Sequence, residues 1–198
     1  MSSFSPTALD GKISSVKEIF QKLDCDIAHF RRVAKFSCTA RCSHCCENHE
    51  VEATELEMLP LARELVRLGQ AEEWYKKAEL QSFSGVCVFY DPLKTDPGAC
   101  AQYLFRPLVC RLFGFAANPD KYGKARMIAC SLIKKNDAKY FEDAEELIAR
   151  GKAYPPLMSA YMMPLALIDP EMTRERHVIN KAFKKARERL WLYEKFEC

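Results

Sequence analysis

Four cysteines lie within nine consecutive residues: Cys38, Cys42, Cys45 and Cys46. Their intervals of four, three and one place Cys38, Cys42 and one of the adjacent pair on one face of a helical turn, where three thiols can converge on one ion. Neighbouring side chains point about 100° apart in a helix, so the other member of the pair is expected to serve a second site or the core. Free cysteines are often inert core residues, but this spacing is close to known ligand spacings and indicates a metal site.

Four more cysteines follow in a segment rich in strand and turn signals, and they are candidates for the remaining ligands: Cys87, Cys100, Cys110 and Cys130. Two tetrahedral zinc sites would use eight thiolates, whereas one iron–sulfur cluster would leave some thiols over. Four thiolates on Zn²⁺ leave a charge of about −2, and eight on one ion would leave about −6, which favours dividing the ligands. Thiolates suit zinc and iron alike, so the sequence leaves the metal open.

Basic residues flank several of these cysteines. Arg41, Arg106 and Arg111 lie beside candidate ligands. Cys110 falls in the first turns of a helix opened by Pro107, where the helix dipole favours thiolate over thiol. We predict that Arg106 and Arg111 support the bound cofactor as cations or hydrogen-bond donors next to the ligands.

The other histidines and cysteines are weaker candidates. His44 and His49 are possible imidazole ligands, although a polar neighbour of the site is the more common role. Lone cysteines such as Cys25 and Cys198 are typical of inert core positions.

The composition is that of an ordinary soluble globular protein, with 48% hydrophobic and 29% charged residues. The sequence after Met1 has no apolar core of a signal peptide, and no stretch is long enough to cross a bilayer. We therefore expect a cytoplasmic protein, in which clustered cysteines bind metal more often than they form disulfides. The 30 basic and 27 acidic residues nearly balance, so neither a nucleic-acid nor a membrane partner is expected, and a protein partner stays open.

Amphipathic helices are predicted on both sides of the cysteines. From Leu9 to Phe36 the apolar residues step by three and four along one face: Ile13, Val16, Phe20, Leu23, Ile27 and Phe30. Thr54 and Glu57 form a capping box that opens a helix ending at Gly69, with Pro60 bending it or forcing a late start. Further helices are predicted at 71–80, 137–150 and 170–196, the last with an apolar stripe on one face: Ile179, Phe183, Ala186 and Leu190.

Between these helices, strand and turn signals replace the helical pattern from Gly85 onward. Residues 86–90 are a strand candidate that could pair with 100–104 as an antiparallel ribbon, and 127–132 could add a strand. A short helix is predicted from Pro107 to Leu112. We therefore predict one domain, residues 1–198, that is mainly α with a small antiparallel β ribbon. A cysteine-rich, metal-organised core at 36–132 is flanked by amphipathic helices at 1–35 and 133–198.

Two elements occur together in this core, the cysteine cluster and an Arg-Pro-x-x-Cys-Arg segment. Cys38-x3-Cys42-x2-Cys45-Cys46 is followed by Cys87, by Cys100-Ala-Gln-Tyr103 and by Arg106-Pro107-Leu-Val-Cys110-Arg111-Leu-Phe113. Over roughly residues 36 to 132 the chain resembles the zinc- or iron-chelating cysteine-cluster family. The resemblance implies a metal-chelating domain with an eight-cysteine pattern, carried here by Cys38, Cys42, Cys45, Cys46, Cys87, Cys100, Cys110 and Cys130.

Three functions are compatible with these features. The leading hypothesis is an intracellular metal-binding protein, holding zinc, iron or an iron–sulfur cluster, with no assigned reaction. The domain is also similar to part of flagellin lysine-N-methylases, which implies a methyltransferase-like enzyme as an alternative. Radical chemistry with S-adenosylmethionine is disfavoured, because the chain has too few strands for the partial barrel of those enzymes. A zinc-stapled interaction module is the third, and exposure of the stripe on the last helix would favour it.

Metal is expected to form part of the folding free energy. The segment from Cys38 to Cys130 is short of regular structure for its length, and structural zinc contributes roughly 10 kcal/mol in peptide models. Hydrogen exchange on metal-loaded and chelator-treated protein should therefore show the larger loss of protection in residues 38–130 and the smaller in the terminal helices. Equal protection of residues 38–130 in both samples would mean that the metal is attached to an already complete fold.

Overall fold

A computed structural model describes residues 8–35, 44–81, 85–93, 100–129, 131–136 and 138–196, without the side chains of Ser131 and Asn136. Four candidate site residues, Cys38, Arg41, Cys42 and Cys130, lie outside the described residues, as does Cys198. The helices are α1 (Ala8–Ala34), α2 (His44–Glu47), α3 (Glu55–Arg67), α4 (Ala71–Leu80), α5 (Leu108–Leu112), α6 (Ser131–Asn136), α7 (Ala138–Ala149), α8 (Met158–Ile168), α9 (Pro170–Arg174) and α10 (Ile179–Phe196). The strands are β1 (Glu52–Thr54), β2 (Ala117–Pro119), β3 (Ala125–Met127) and β4 (Arg176–Val178). The predicted mainly α fold with small antiparallel β elements is confirmed.

The core is built around α3, which packs against α1, α4 and α10. The predicted stripe of α1 is buried throughout, and so is the stripe of α10. In α3 the buried residues cover most of the helix surface, as expected for a helix enclosed by its neighbours: Leu56, Met58, Leu59, Leu61, Ala62 and Leu65. Pro60 lies inside α3, which already begins at Glu55, so a late start forced by this proline is wrong.

The strands differ from the predicted ribbon. Residues 86–90 and 100–104 share one isolated antiparallel bridge, between Tyr90 and Cys100. The antiparallel ribbons are instead β1 with β4 and β2 with β3, and β3 ends at Met127, where the predicted strand was to begin. The expected helix 170–196 is divided into α9 and α10, because residues 176–178 pair with β1.

One helix had no expectation in the sequence analysis, and one expectation about a cysteine is corrected. Helix α8 was not predicted, because its sequence contains no charged residue and shows no clear amphipathic period. Cys25, expected in the core, is an exposed residue of α1.

No helix in the described ranges is both long enough and apolar enough to span a bilayer.

The predicted capping box of α3 is confirmed, and its glutamate has a second role. The Thr54 backbone N–H and hydroxyl both donate to Glu57 Oε2 (2.8 Å each), and Thr54 Oγ1 accepts from Glu57 N–H (3.3 Å). The other oxygen, Oε1, accepts from Leu108 N–H, the first residue of α5 (3.0 Å). Burial raises the pKa of this fully buried carboxyl, and the hydrogen bonds from Thr54 and Leu108 oppose that rise. One side chain thus caps both α3 and α5.

Replacing Glu57 by glutamine should therefore destabilise the protein. The amide turns one acceptor into a donor that faces an N–H group, and an unsatisfied buried polar group costs about 1–3 kcal/mol. Glu64→Gln on the same helix is the control, because Glu64 pairs with Arg67 near the surface, where ion pairs contribute about 0–1 kcal/mol. Urea denaturation of both variants measures the difference. Equal losses of unfolding free energy in the two variants would show that Glu57 contributes no more than a carboxylate near the surface.

Candidate metal centre

The adjacent cysteines Cys45 and Cys46 lie in α2, and hydrogen bonds join this turn to the Cys87 segment. Cys87 N–H donates to the Cys46 carbonyl (2.9 Å). The hydroxyl of Tyr90 donates to Glu47 Oε1 (3.0 Å). These two bonds hold the vicinal pair beside Cys87, although the two segments are far apart in the sequence.

Cys100 joins the same group through the bridge to Tyr90. Phe89 O accepts from Ala101 N–H (2.8 Å), and Cys87 O accepts from Tyr90 N–H (2.9 Å), so the chain turns tightly after Cys87. The apolar run therefore forms a turn and one bridge rather than a strand. Cys87 and Cys100, two candidate ligands, are thus brought together on neighbouring backbone segments.

Cys110 is positioned by α5 and by Arg106. The Cys110 N–H donates to the Pro107 carbonyl (3.1 Å), within the helix start that Glu57 caps. Arg106 donates from Nη1 to the Cys110 carbonyl (3.1 Å) and from Nε to the Tyr103 carbonyl (3.1 Å). Its guanidinium lies 3.6 Å from the centroid of the Tyr103 ring. These contacts fix a cation beside the cysteine group.

Arg111 is directed to the other side of α5. Its guanidinium is nearly buried, pairs with Asp24 of α1 and lies 4.7 Å from the centroid of the Phe20 ring. It also donates to the carbonyls of Leu104 and Arg106, in the loop before α5 that contains the 3₁₀ turn Tyr103–Phe105. Arg111 therefore anchors this loop to α1. That either arginine supports a bound cofactor stays a prediction.

The thiols influence one another electrostatically. A hydrogen bond from the Cys46 thiol, aided by the charge of Arg106, lowers the pKa of Cys45, against the opposing effect of burial. The same hydrogen bond, followed by burial and the neighbouring sulfurs, raises the pKa of Cys46. Cys45 is therefore the member of the pair that most readily provides a thiolate.

Two further thiols have raised pKa values. Burial is the main cause for Cys87, whose pKa rises to about 12, with added repulsion from Cys100 and Cys45. Burial also raises the pKa of Cys110, with repulsion from the sulfurs of Cys45, Cys87 and Cys100, while Arg106 acts in the opposite direction. Five described sulfurs thus share one neighbourhood.

This donor set fits a soft cation. A metal ion placed among crowded thiolates offsets their mutual repulsion, and sulfur ligands select zinc and iron. Among the residues that the structure describes, however, no three His, Cys, Asp or Glu side chains converge tightly enough to hold an ion. The convergence expected for Cys38, Cys42 and one of the vicinal pair lies mostly outside the described residues and stays a prediction. His44 and His49 are exposed next to the vicinal pair.

Gly85 permits the close approach of the two cysteine segments. Its φ of +72° is unfavourable for residues that carry a side chain. A Cβ atom at this position would lie 2.7 Å from His49 Cβ, which is closer than side chains tolerate. A glycine is therefore required beside Cys87 for two independent reasons.

Gly85→Ala should consequently cost more stability than the same change at a glycine in open space. Gly123 has a similar φ of +77°, and nothing lies within 4 Å of an added Cβ, so Gly123→Ala measures the backbone cost alone, about 1–2 kcal/mol. We expect Gly85→Ala to exceed it by at least about 1 kcal/mol, because the overpacking must be relieved by shifting His49. Denaturant unfolding of the two variants tests this; indistinguishable losses would show that the approach to His49 is not constrained.

The comparisons with known proteins agree with this chemistry. Residues 37–144 match the family model CxxCxxCC, described as a putative zinc- or iron-chelating domain. No curated protein and no solved structure matches the chain significantly. The matched segment includes every cysteine of the candidate centre and ends within α7. Because the match covers more than half of the chain, the protein belongs to this family of zinc- or iron-chelating domains.

Proposed function

We propose that this protein holds zinc or iron in a single thiolate-rich centre. The proposed ligands are drawn from eight cysteines: Cys38, Cys42, Cys45, Cys46, Cys87, Cys100, Cys110 and Cys130. The observation that carries the proposal is the set of contacts that bring the described cysteine segments together. Cys87 N–H donates to the Cys46 carbonyl, Tyr90 bridges to Cys100, and Arg106 donates to the Cys110 carbonyl. The electrostatic influence of these sulfurs on one another supports the same grouping. Cysteines scattered through the core would not be joined by backbone hydrogen bonds in this way.

The number of sulfurs supports a centre with more than one metal atom. Five neighbouring thiols exceed the four ligands of a tetrahedral zinc site. An iron–sulfur cluster ligated by four cysteines, with a thiol to spare, satisfies the same arrangement, as does a pair of ions sharing sulfurs. In either case Arg106, which donates to the Cys110 carbonyl, balances part of the negative charge.

The local fold supports a structural role for the proposed metal. The ligand segments around α2, Cys87 and α5 contain only short elements, so cross-linking them through metal would stabilise a region with little regular structure. The interaction-module alternative loses its proposed surface, because Ile179, Phe183 and Leu190 of α10 are buried. The cytoplasmic setting proposed from the sequence would keep these thiols reduced.

Metal analysis and an absorption spectrum of anaerobically purified protein test the proposal. Zinc gives no visible absorption, whereas an iron–sulfur cluster is brown. Cys110→Ser and Cys46→Ser should each lower the bound metal substantially, because both remove a sulfur from the described group. Cys25→Ser is the matched control, since Cys25 is an exposed residue on α1, and it should retain the metal of the unmodified protein.

Two results would contradict the proposal. One is protein that, after purification and reconstitution with zinc or iron, retains neither metal in stoichiometric amount. The other is equal metal content in Cys110→Ser and Cys25→Ser protein, which would separate the sulfur group from metal binding.

A further inference from the structure

The Cys87 segment is held by a side chain from outside the matched domain. Asn180 lies in the first turn of α10 and is buried. Its Oδ1 accepts from Val88 N–H (2.8 Å), and its Nδ2 donates to the Val86 carbonyl (2.9 Å). Nδ2 also lies 3.5 Å from the Gln81 carbonyl. Because an N–H group and a carbonyl must be satisfied at these two places, the orientation of the amide is determined.

These bonds enclose Cys87 on both sides. The residues before and after it are fixed to Asn180, while its own N–H is bonded to the Cys46 carbonyl. The ring of Phe89 adds an edge-to-face contact with Phe183 on the same helix, with centroids 5.1 Å apart. The backbone that carries the Cys87 sulfur therefore has little freedom relative to α10.

We infer that Asn180 is a positioning residue for Cys87 in the metal centre. The inference rests on the proposed function. A ligand whose backbone is already fixed loses less conformational entropy when the metal binds, and a side chain that orients a ligand typically contributes 10- to 100-fold in metal affinity. Residue 180 lies beyond the matched segment 37–144, so the proposed support of the site comes from a helix outside the matched domain.

A buried asparagine could instead serve stability alone, and metal affinity distinguishes the two roles. Leu190→Ala is the matched control: Leu190 is fully buried on the same helix, about 15 Å further along it, and contributes to packing. Asn180→Ala removes both hydrogen bonds. Asn180→Asp keeps an acceptor for Val88 and removes the donor to Val86, so it provides a second variant if the first does not fold.

The experiment uses the full chain, reduced and metal-free, titrated with Co²⁺ and then with Zn²⁺ in competition with a chelator. We expect about 10- to 100-fold weaker binding in the Asn180 variants than in the unmodified protein. We also expect less sulfur-to-cobalt charge-transfer absorption per bound ion, because Cys87 is less often coordinated. Leu190→Ala should lower the melting temperature while leaving the affinity and the spectrum unchanged.

The outcomes separate the inference from the proposed function. If the unmodified protein binds neither ion and also retains no iron after reconstitution, the proposed function fails and the inference fails with it. If it retains iron alone, the iron content of the same variants after reconstitution replaces the titration and decides the inference. If the unmodified protein binds and both Asn180 variants have its affinity and spectrum, Asn180 does not position the ligand and only the inference is overturned. An equal loss of affinity in Leu190→Ala also overturns it, because general destabilisation would then account for the effect.

Discussion

The other parts of the structure depend on the hydrogen bonds that the buried carboxylate of Glu57 accepts. A buried carboxylate is costly unless its oxygens accept hydrogen bonds, and here they accept from the starts of two helices. One of these, α3, is the central helix of the core, and the other, α5, carries Cys110. The position of Cys110 is therefore coupled to the central helix of the core, α3.

The same kind of interaction recurs around the candidate centre. Arg111 satisfies carbonyl groups of the loop before α5, Arg106 satisfies the carbonyl of Cys110, and Asn180 satisfies the polar groups on either side of Cys87. Buried backbone groups need partners, and these irregular segments do not obtain them from sheet ladders. Side chains from stable helices provide them instead. Irregular backbone thereby becomes a defined scaffold for sulfur ligands.

Short-range sequence patterns predicted the elements that are stabilised by short-range interactions. The stripe of α1 and the Thr54–Glu57 capping box are confirmed because both rest on helical periodicity and short-range hydrogen bonds. The strand at 86–90 was wrong, because the partner of that backbone is Asn180, about 90 residues later, and a single asparagine in a charged helix gives no signal of such a contact. The cysteine spacing predicted the zinc- or iron-chelating family, which is confirmed, but the contact of α10 with the Cys87 segment could be found only in three dimensions.

The late position of Asn180 also affects the order of events during synthesis. It follows Cys130, the last of the proposed ligands, by about 50 residues, which a ribosome takes several seconds to add at roughly 5–20 residues per second. For that interval every cysteine of the centre has been made, while the residue that fixes Cys87 has not. Under the proposed function, a nascent chain therefore meets metal ions before α10 has docked against the Cys87 segment.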